Sequence, residues 1–227
     1  MEPALIFPDA ARLVRGPEVL RETSAAALTV ENLRAAYRRG VFPWPGAASA
    51  PIPWCCPRVR AILVFDELTP GRTLEKAARK TGLSYSIDRA FPAVIAACAA
   101  AARPGQDGTW IAPAIVAAYT ALHRAGSAHS VEVWRDGELA GGLYGVDAGG
   151  VFCGESMFHH QDNASKLAIM HLAAHLRTRG SEWMDIQQLT PHMKRLGARE
   201  VTRAVFIEKL AREIAVGKEL FVPCPEV

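Results

Sequence analysis

Two carboxylates occupy apolar surroundings in the sequence. Glu155 stands within the strand-like run FCGESMF (Phe152–Phe158), where the apolar alternation is expected to end ahead of His159-His160 and a helix start. Asp185 lies in a second run, EWMDIQQ (Glu182–Gln188). A carboxylate among apolar side chains is costly unless something pairs with it, either a partner in the chain or a substrate. Both acids sit near strand ends, and the two strands flank one helix, so a single sheet would turn them toward one cleft. Gln187 follows Asp185 by two residues and shares its face if the strand alternates regularly. A carboxylate beside an amide can hold an amine and help remove its proton. A salt bridge within the protein would satisfy Asp185 equally well.

Other chemistries have less support. His171 and His175 are one helical turn apart, but HLAAH lacks the glutamate of a metalloprotease helix and no third ligand stands out. No metal is therefore expected. The cysteines, Cys55, Cys56, Cys98, Cys153 and Cys224, are odd in number, irregular in spacing and without a Cys-x-x-Cys pair, which fits a reducing compartment. Cys153 reads as packing. No Gly-rich loop follows a strand, so a Rossmann or P-loop nucleotide site is unsupported.

The elements that would position Glu155 and Asp185 follow from periodicity. LTVENLRAAYRRG reads as a helix capped by Thr29 and stopped by Gly40. The Pro- and Trp-rich stretch Val41–Arg60 reads as an ordered loop crossing a surface. Ala61–Phe65 is a strand, RTLEKAARKTG a helix and LSYSID a strand; helices follow at Ala90–Ala102 and over APAIVAAYTALHRAG. His129–Phe158 then alternates with period two, giving about three strands with turns at RDGE and DAGG. A helix over Asn163–Arg179, a strand at EWMDIQQ, a short helical segment at TPHMKRLG and a helix over Thr202–Val216 complete the chain. This order predicts an α+β fold, with a small N-terminal domain over 1–66 and a larger one over 67–227.

The 227 residues are half hydrophobic and 22% charged, as in a globular protein with a real core. No apolar run reaches the roughly 18 residues of a membrane span. Met1–Leu13 lacks a basic start and an apolar stretch, so no secretory signal is expected and a cytoplasmic location is. Residues 1–110 carry 14 Lys and Arg against 10 Asp and Glu, an excess of four; residues 111–227 carry 12 against 13. The basic bias, with Arg34, Arg38 and Arg39 on one short helix, suits a surface that meets phosphate.

Seven segments occur in order: GVFPW (Gly40–Trp44), TWI (Thr109–Ile111), AHSVEVW (Ala128–Trp134), GGLYGV (Gly141–Val146), FCGESMF, NASK (Asn163–Lys166) and LGA (Leu196–Ala198). Together they closely resemble the leucyl/phenylalanyl-tRNA–protein transferase family, over about residues 30–205. The resemblance implies an aminoacyltransferase that moves leucine, phenylalanine or methionine from aminoacyl-tRNA to the N-terminal Arg or Lys of a protein, marking it for N-end rule degradation. It implies an acetyltransferase-like (GNAT-like) larger domain used without coenzyme A or another cofactor, in a monomer.

By the same resemblance Asp185 and Gln187 fall on the catalytic aspartate and glutamine, and Glu155 lines their site. Trp54 and Trp110 fall near the terminal adenosine or the acceptor. Leu143, Phe152, Ile169, Leu172 and Leu176 fall around the amino-acid pocket, with Tyr119 and Ser156 also substrate-binding. Arg34, Arg38 and Arg39 are the tRNA contacts expected from charge. The chain departs from the family pattern at Cys55, Cys56 and Arg58, at Ile186, and at Leu172 and Leu176, where aromatics are common. An acetyl-CoA acetyltransferase would want a Gly-rich pyrophosphate loop, which HHQDNASK does not offer. A non-catalytic RNA-binding module would not explain Glu155, Asp185 and Gln187 together.

Overall fold

Local caps and turn residues set the N-terminal part. Helix α1 (Ala10–Arg15) opens on Asp9, whose carboxylate accepts from Arg12 N–H, and strand β1 (Val19–Thr23) follows. Helix α2 (Val30–Tyr37) is capped by Thr29, which accepts from Asn32 N–H, and the chain reverses at Gly40 with φ 74°. These features come from a computed structural model, which describes residues 4–45, 51–79, 82–101 and 109–221. Residues 46–50 of the Pro-rich stretch, the last residue of the expected helix 90–102, and Cys224 lie outside the described residues.

The Pro- and Trp-rich stretch is not a surface loop. Strands β2 (Phe42–Pro43) and β3 (Ile52–Cys55) join β1 in an antiparallel sheet of order β1-β3-β2. Trp54 is fully buried against Phe7, and its indole N–H donates to Thr23 Oγ1 at 2.9 Å. The prolines are tolerated because Pro43 lies on an edge strand, while Pro53 acts only as an acceptor, taking the Trp44 N–H.

The remaining elements are β4 (Val59–Val64), α3 (Arg72–Ala78), β5 (Leu83–Ile87), α4 (Phe91–Ala100), α5 (Pro113–Arg124), β6 (Ala128–Arg135), β7 (Glu138–Asp147), β8 (Phe152–His159), α6 (Ala164–Thr178), β9 (Trp183–Gln187), α7 (Pro191–Arg195), β10 (Arg199–Thr202) and α8 (Arg203–Val216). Their strands form a seven-stranded sheet of order β10-β4-β9-β8-β7-β6-β5. Only the β8–β9 pairing in it is parallel, and α6 supplies the crossover that a parallel pair requires. The fold is thus α+β, with a small N-terminal region and a larger sheet domain. Strand β4, which precedes the 66/67 division, is paired between β10 and β9 in the larger sheet.

Adjacent residues of one strand point to opposite faces. Tyr144 therefore joins a core with Phe91 and Ile95 of α4, Tyr119 and Leu122 of α5 and Phe206 of α8. Leu143 joins the other core, with Leu167, Leu172 and Leu176 of α6 and Leu74 of α3. Burial of each Leu or Ile side chain contributes about 1.5–3 kcal/mol.

Candidate active site

Two irregularities in the ladder shape the site. Tyr144 pairs with Ser156 and Gly145 with Gly154, so Glu155 is an extra residue in β8. Ala61 pairs with Gln187 and Ile62 with Asp185, so Ile186 is an extra residue in β9. Such bulges bend a strand and re-aim its side chains. Glu155 therefore lies mid-strand, not at a strand end as expected from the sequence. β8 and β9 meet in register at Cys153 and Asp185. Beyond that point a cavity of about 790 Å³ opens, lined by Glu155 and Ser156 of β8 and by Ile186 and Gln187 of β9.

Asp185 has no exposed surface. Its Oδ1 accepts from Arg60 Nε at 2.8 Å and its Oδ2 from Arg60 Nη2 at 2.6 Å. Arg60 in turn is sandwiched between the rings of Phe42 and Phe206, at 4.5 and 4.4 Å, and donates to Gly40 O at 3.1 Å. A two-pronged guanidinium–carboxylate pair with ring contacts offsets the desolvation that burial imposes on both charges. The close approach also needs Gly40 itself, since a Cβ there would sit 2.7 Å from the Phe206 ring.

Asp185 Oδ1 also accepts from the Gln187 N–H at 2.9 Å. Gln187 has φ 56°, and Gln188 N–H donates to Ile186 O at 2.6 Å. A positive φ under an i to i+2 bond is the pattern of a strained γ-turn. Asp185 thus clamps a turn that a glutamine would not adopt unaided. The turn, rather than strand alternation alone, aims the Gln187 side chain.

Gln187 Nε2 donates to Glu155 Oε1 at 2.5 Å, which turns the amide oxygen away from Glu155 as an acceptor. Glu155 Oε2 accepts from Tyr119 Oη at 3.3 Å, and Tyr119 and Tyr37 share a hydroxyl hydrogen bond of 2.5 Å. Burial pushes the Glu155 carboxyl up to about 7; hydrogen bonds from Tyr37, Gln187 and Tyr119 oppose this, and the Asp185 charge adds to it. Burial, then the Glu155 charge, pushes both tyrosine hydroxyls well above their usual range, so they remain donors at neutral pH. Burial likewise raises the Cys153 thiol, which makes it a poor nucleophile.

The remaining candidate residues divide by position. Leu143, Ser156 and Ile169 line the cavity with Glu155 and Gln187. Phe152, Leu172 and Leu176 are fully buried or nearly so in the core that includes Leu143 and Ile169. Trp54 is enclosed in the N-terminal sheet, and half-buried Trp110 packs against the core on the α4–α5 side. Arg34, Arg38 and Arg39 are exposed, but Arg34 donates to Ala125 O and to Ser127 Oγ just after α5, and Arg39 to Pro8 O. His175 is bonded to Leu220 O and His171 stacks on Tyr85.

Sequence reasoning missed Arg60, Tyr37 and the cavity methionines Met157, Met184 and Met193. Arg60 carried a usable signal, a cation that directly adjoins the apolar run AILVF. Tyr37 carried none, because its hydroxyl reaches Tyr119 across 82 residues of sequence.

A family model described as leucyl/phenylalanyl-tRNA protein transferase matches residues 62–211, and one for the N-terminal domain of the same family matches residues 26–58. The chain is 48% identical to the leucyl/phenylalanyl-tRNA–protein transferase of Chromohalobacter salexigens, over 92% of this chain and 80% of that one. It is 43% identical to that of Chromobacterium violaceum, over 93% and 90%. It is 45% identical to that of Bordetella bronchiseptica, over 92% and 85%. A solved conserved protein of unknown function from Staphylococcus epidermidis overlaps 63% of this chain and 57% of its own with a TM-score of 0.38 at 10% identity, too weak a likeness to carry an argument. On the two family models and these relatives, the chain belongs to the leucyl/phenylalanyl-tRNA–protein transferase family.

Proposed function

We propose that this chain transfers leucine or phenylalanine from aminoacyl-tRNA to the N-terminal amine of proteins that begin with Arg or Lys, marking them for N-end rule degradation. Its membership of the family supports the transfer itself. The Glu155–Gln187 pair at an apolar cavity is the observation that carries the site assignment. The donor ester is already activated, so the enzyme has chiefly to orient two substrates and handle one proton. The acceptor amine attacks the ester carbonyl, the C–N bond forms, the bond to the ribose oxygen breaks, and the amine proton leaves for that oxygen.

In this reading the Gln187 amide oxygen receives an N–H of the attacking amine. Glu155, held by Tyr119, fixes the amide and balances the developing positive charge. Asp185, closed off by Arg60, acts through the Gln187 backbone and is a positioning residue. Leu143, Ile169 and the cavity methionines select an apolar side chain by burial. Methionine walls adapt their shape easily, which suits both a branched and a ring-bearing residue.

We infer further that the larger domain is acetyltransferase-like. Support comes from its largely antiparallel sheet with one parallel pair, β8 and β9, meeting at Cys153 and Asp185 beside the cavity. The β8–α6 connection carries no glycine, which suits a donor other than coenzyme A. A donor that is tRNA places the protein in the cytoplasm, where we take it to act as a monomer. The test is transfer of labelled leucine from tRNA to peptides beginning with each of the twenty residues. Transfer confined to Arg and Lys supports the reading; no transfer to any peptide sinks it.

A further inference from the structure

Beside the cavity stand polar groups that the transfer chemistry above does not use: Lys166 follows cavity-lining Ser165, and Arg195 is three residues after cavity-lining His192 on α7. His192, at the start of α7, lines the cavity with His159, His160 and Thr190. Its Nε2 is buried from solvent and has no hydrogen-bond partner, an arrangement that is costly without a ligand or water. Lys166, in the first turn of α6, is half-buried and donates from Nζ to Asn163 Oδ1 at 3.1 Å. Arg195 is exposed at the end of α7. Among the described residues neither Lys166 nor Arg195 makes an ion pair.

These groups act on one another. Burial, then the charges of Lys166, Arg195 and His159, holds the His192 ring below its usual imidazole range. The charges that act on His192 most strongly are thus two cations and another histidine. The first turn of α6 adds to the positive potential, because it holds no acidic residue and no side-chain cap. Asp162, just before the Asn163 cap, is exposed and makes no ion pair among the described residues. Like charges gathered this way are destabilising on their own, and an anion seated among them would relieve the repulsion. Arg34, by contrast, already spends its guanidinium on Ala125 and Ser127.

We propose that Lys166, His192 and Arg195 form an anion subsite beside the cavity that takes a backbone phosphate of the RNA 3′ end while the aminoacyl group enters the cavity. This rests on the aminoacyl-tRNA reading above. Arg195 and Lys166 supply charge, and the neutral His192 ring supplies a directed N–H. The subsite would set the depth to which the RNA end enters, and so the position of the ester against Glu155 and Gln187.

The test compares two minimal donors in transfer to an Arg-beginning peptide: leucyl-adenosine, which has no phosphate, and leucyl-cytidylyl-adenosine, which has one phosphodiester. Lys166→Ala and Arg195→Ala should each raise KM for the dinucleotide donor about three- to ten-fold more than for the nucleoside donor. Equal changes on both donors would overturn the subsite, as would a change confined to KM for the acceptor peptide. A second measurement needs no turnover. In the unsubstituted protein, the NMR titration of the His192 ring should move upward on adding unacylated cytidylyl-adenosine and stay in place with adenosine. No movement with the dinucleotide counts against the subsite. A ring shift without transfer from any donor would keep the subsite and remove the transfer reading.

Discussion

Two strand pairings in one sheet contrast sharply. β6 and β7 are antiparallel and joined by Asp136-Gly137, both with positive φ as a tight hairpin turn requires. Their one irregularity leaves Ala140 unpaired, and the backbone closes it: Ala140 O accepts from the N–H groups of His160 and Gln161. β8 and β9 are parallel, each with an extra residue, and side chains close the gaps. Those side chains come from far apart in the chain: Arg60 from β4, Tyr119 from α5 and, behind it, Tyr37 from α2. The hairpin needs only backbone, its own and that of the connection after β8. The β8–β9 seam is held by borrowed partners, and there the ladder opens enough to admit a substrate.

The largest break in this contrast should come from Arg60→Met. It leaves the Asp185 carboxylate buried without a partner, which costs about 3–5 kcal/mol and should appear as a lower midpoint in urea unfolding. Adding Asp185→Leu removes the stranded charge and should recover most of that stability while transfer stays lost. A single variant as stable as the parent would show that the seam does not depend on the pair. Removal of the Asp136-Gly137 turn geometry, by comparison, should loosen only the hairpin.

Asp185→Asn should lower single-turnover transfer by about 10²–10³, because a misplaced Gln187 loses orientation as well as help with the proton. Binding of charged tRNA should change little. Near-parental transfer would remove Asp185 from the mechanism.

Glu155→Gln sharpens the electrostatic side of the comparison. With the Glu155 carboxyl raised from 4.5 to about 7, transfer by the parent should rise as pH passes through about 7, and the variant should show no such step. Stability should move oppositely. Between these two values the folded chain keeps a proton that the unfolded chain has lost, so Glu155 makes the fold less stable as pH rises. The melting temperature of Glu155→Gln, relative to the parent, should therefore be several degrees higher at pH 8 than at pH 5. A constant difference would mean that Glu155 titrates normally.

The smallest effect concerns the cavity wall. Leu143, Ile169 and methionines line the cavity, and so do the rings of Phe158 and Tyr144. A side chain seated on the aliphatic and methionine wall forgoes ring-on-ring packing worth about 0.5–1.5 kcal/mol, which disfavours phenylalanine. Leucyl-tRNA should outcompete phenylalanyl-tRNA several-fold at equal concentration. A clear preference for phenylalanine would show that the ring of Phe158 or Tyr144 meets the bound side chain.

The sequence by itself determined the parts that depend on neighbours in the chain. The Thr29 cap, the Asp136-Gly137 turn, the period-two meander and the long helix at Ala164–Thr178 are all written in residues within a few positions of one another, where propensity and periodicity act. That Glu155, Asp185 and Gln187 come together was legible too, since all three stood out as polar groups in apolar strands, but the sequence put Gln187 beside Asp185 and did not show that its amide turns to Glu155. Tertiary structure alone decided the rest. It made a sheet of the Pro- and Trp-rich stretch, because a proline is harmless only where the fold leaves its missing N–H unneeded. It put Gln187 into a left-handed turn, because Asp185 is there to clamp it. It also closed Asp185 off from the cavity, because Arg60 meets it across 125 residues of chain. A buried charge must find a partner, but electrostatics acts through space, and spacing along the chain does not say which partner it finds.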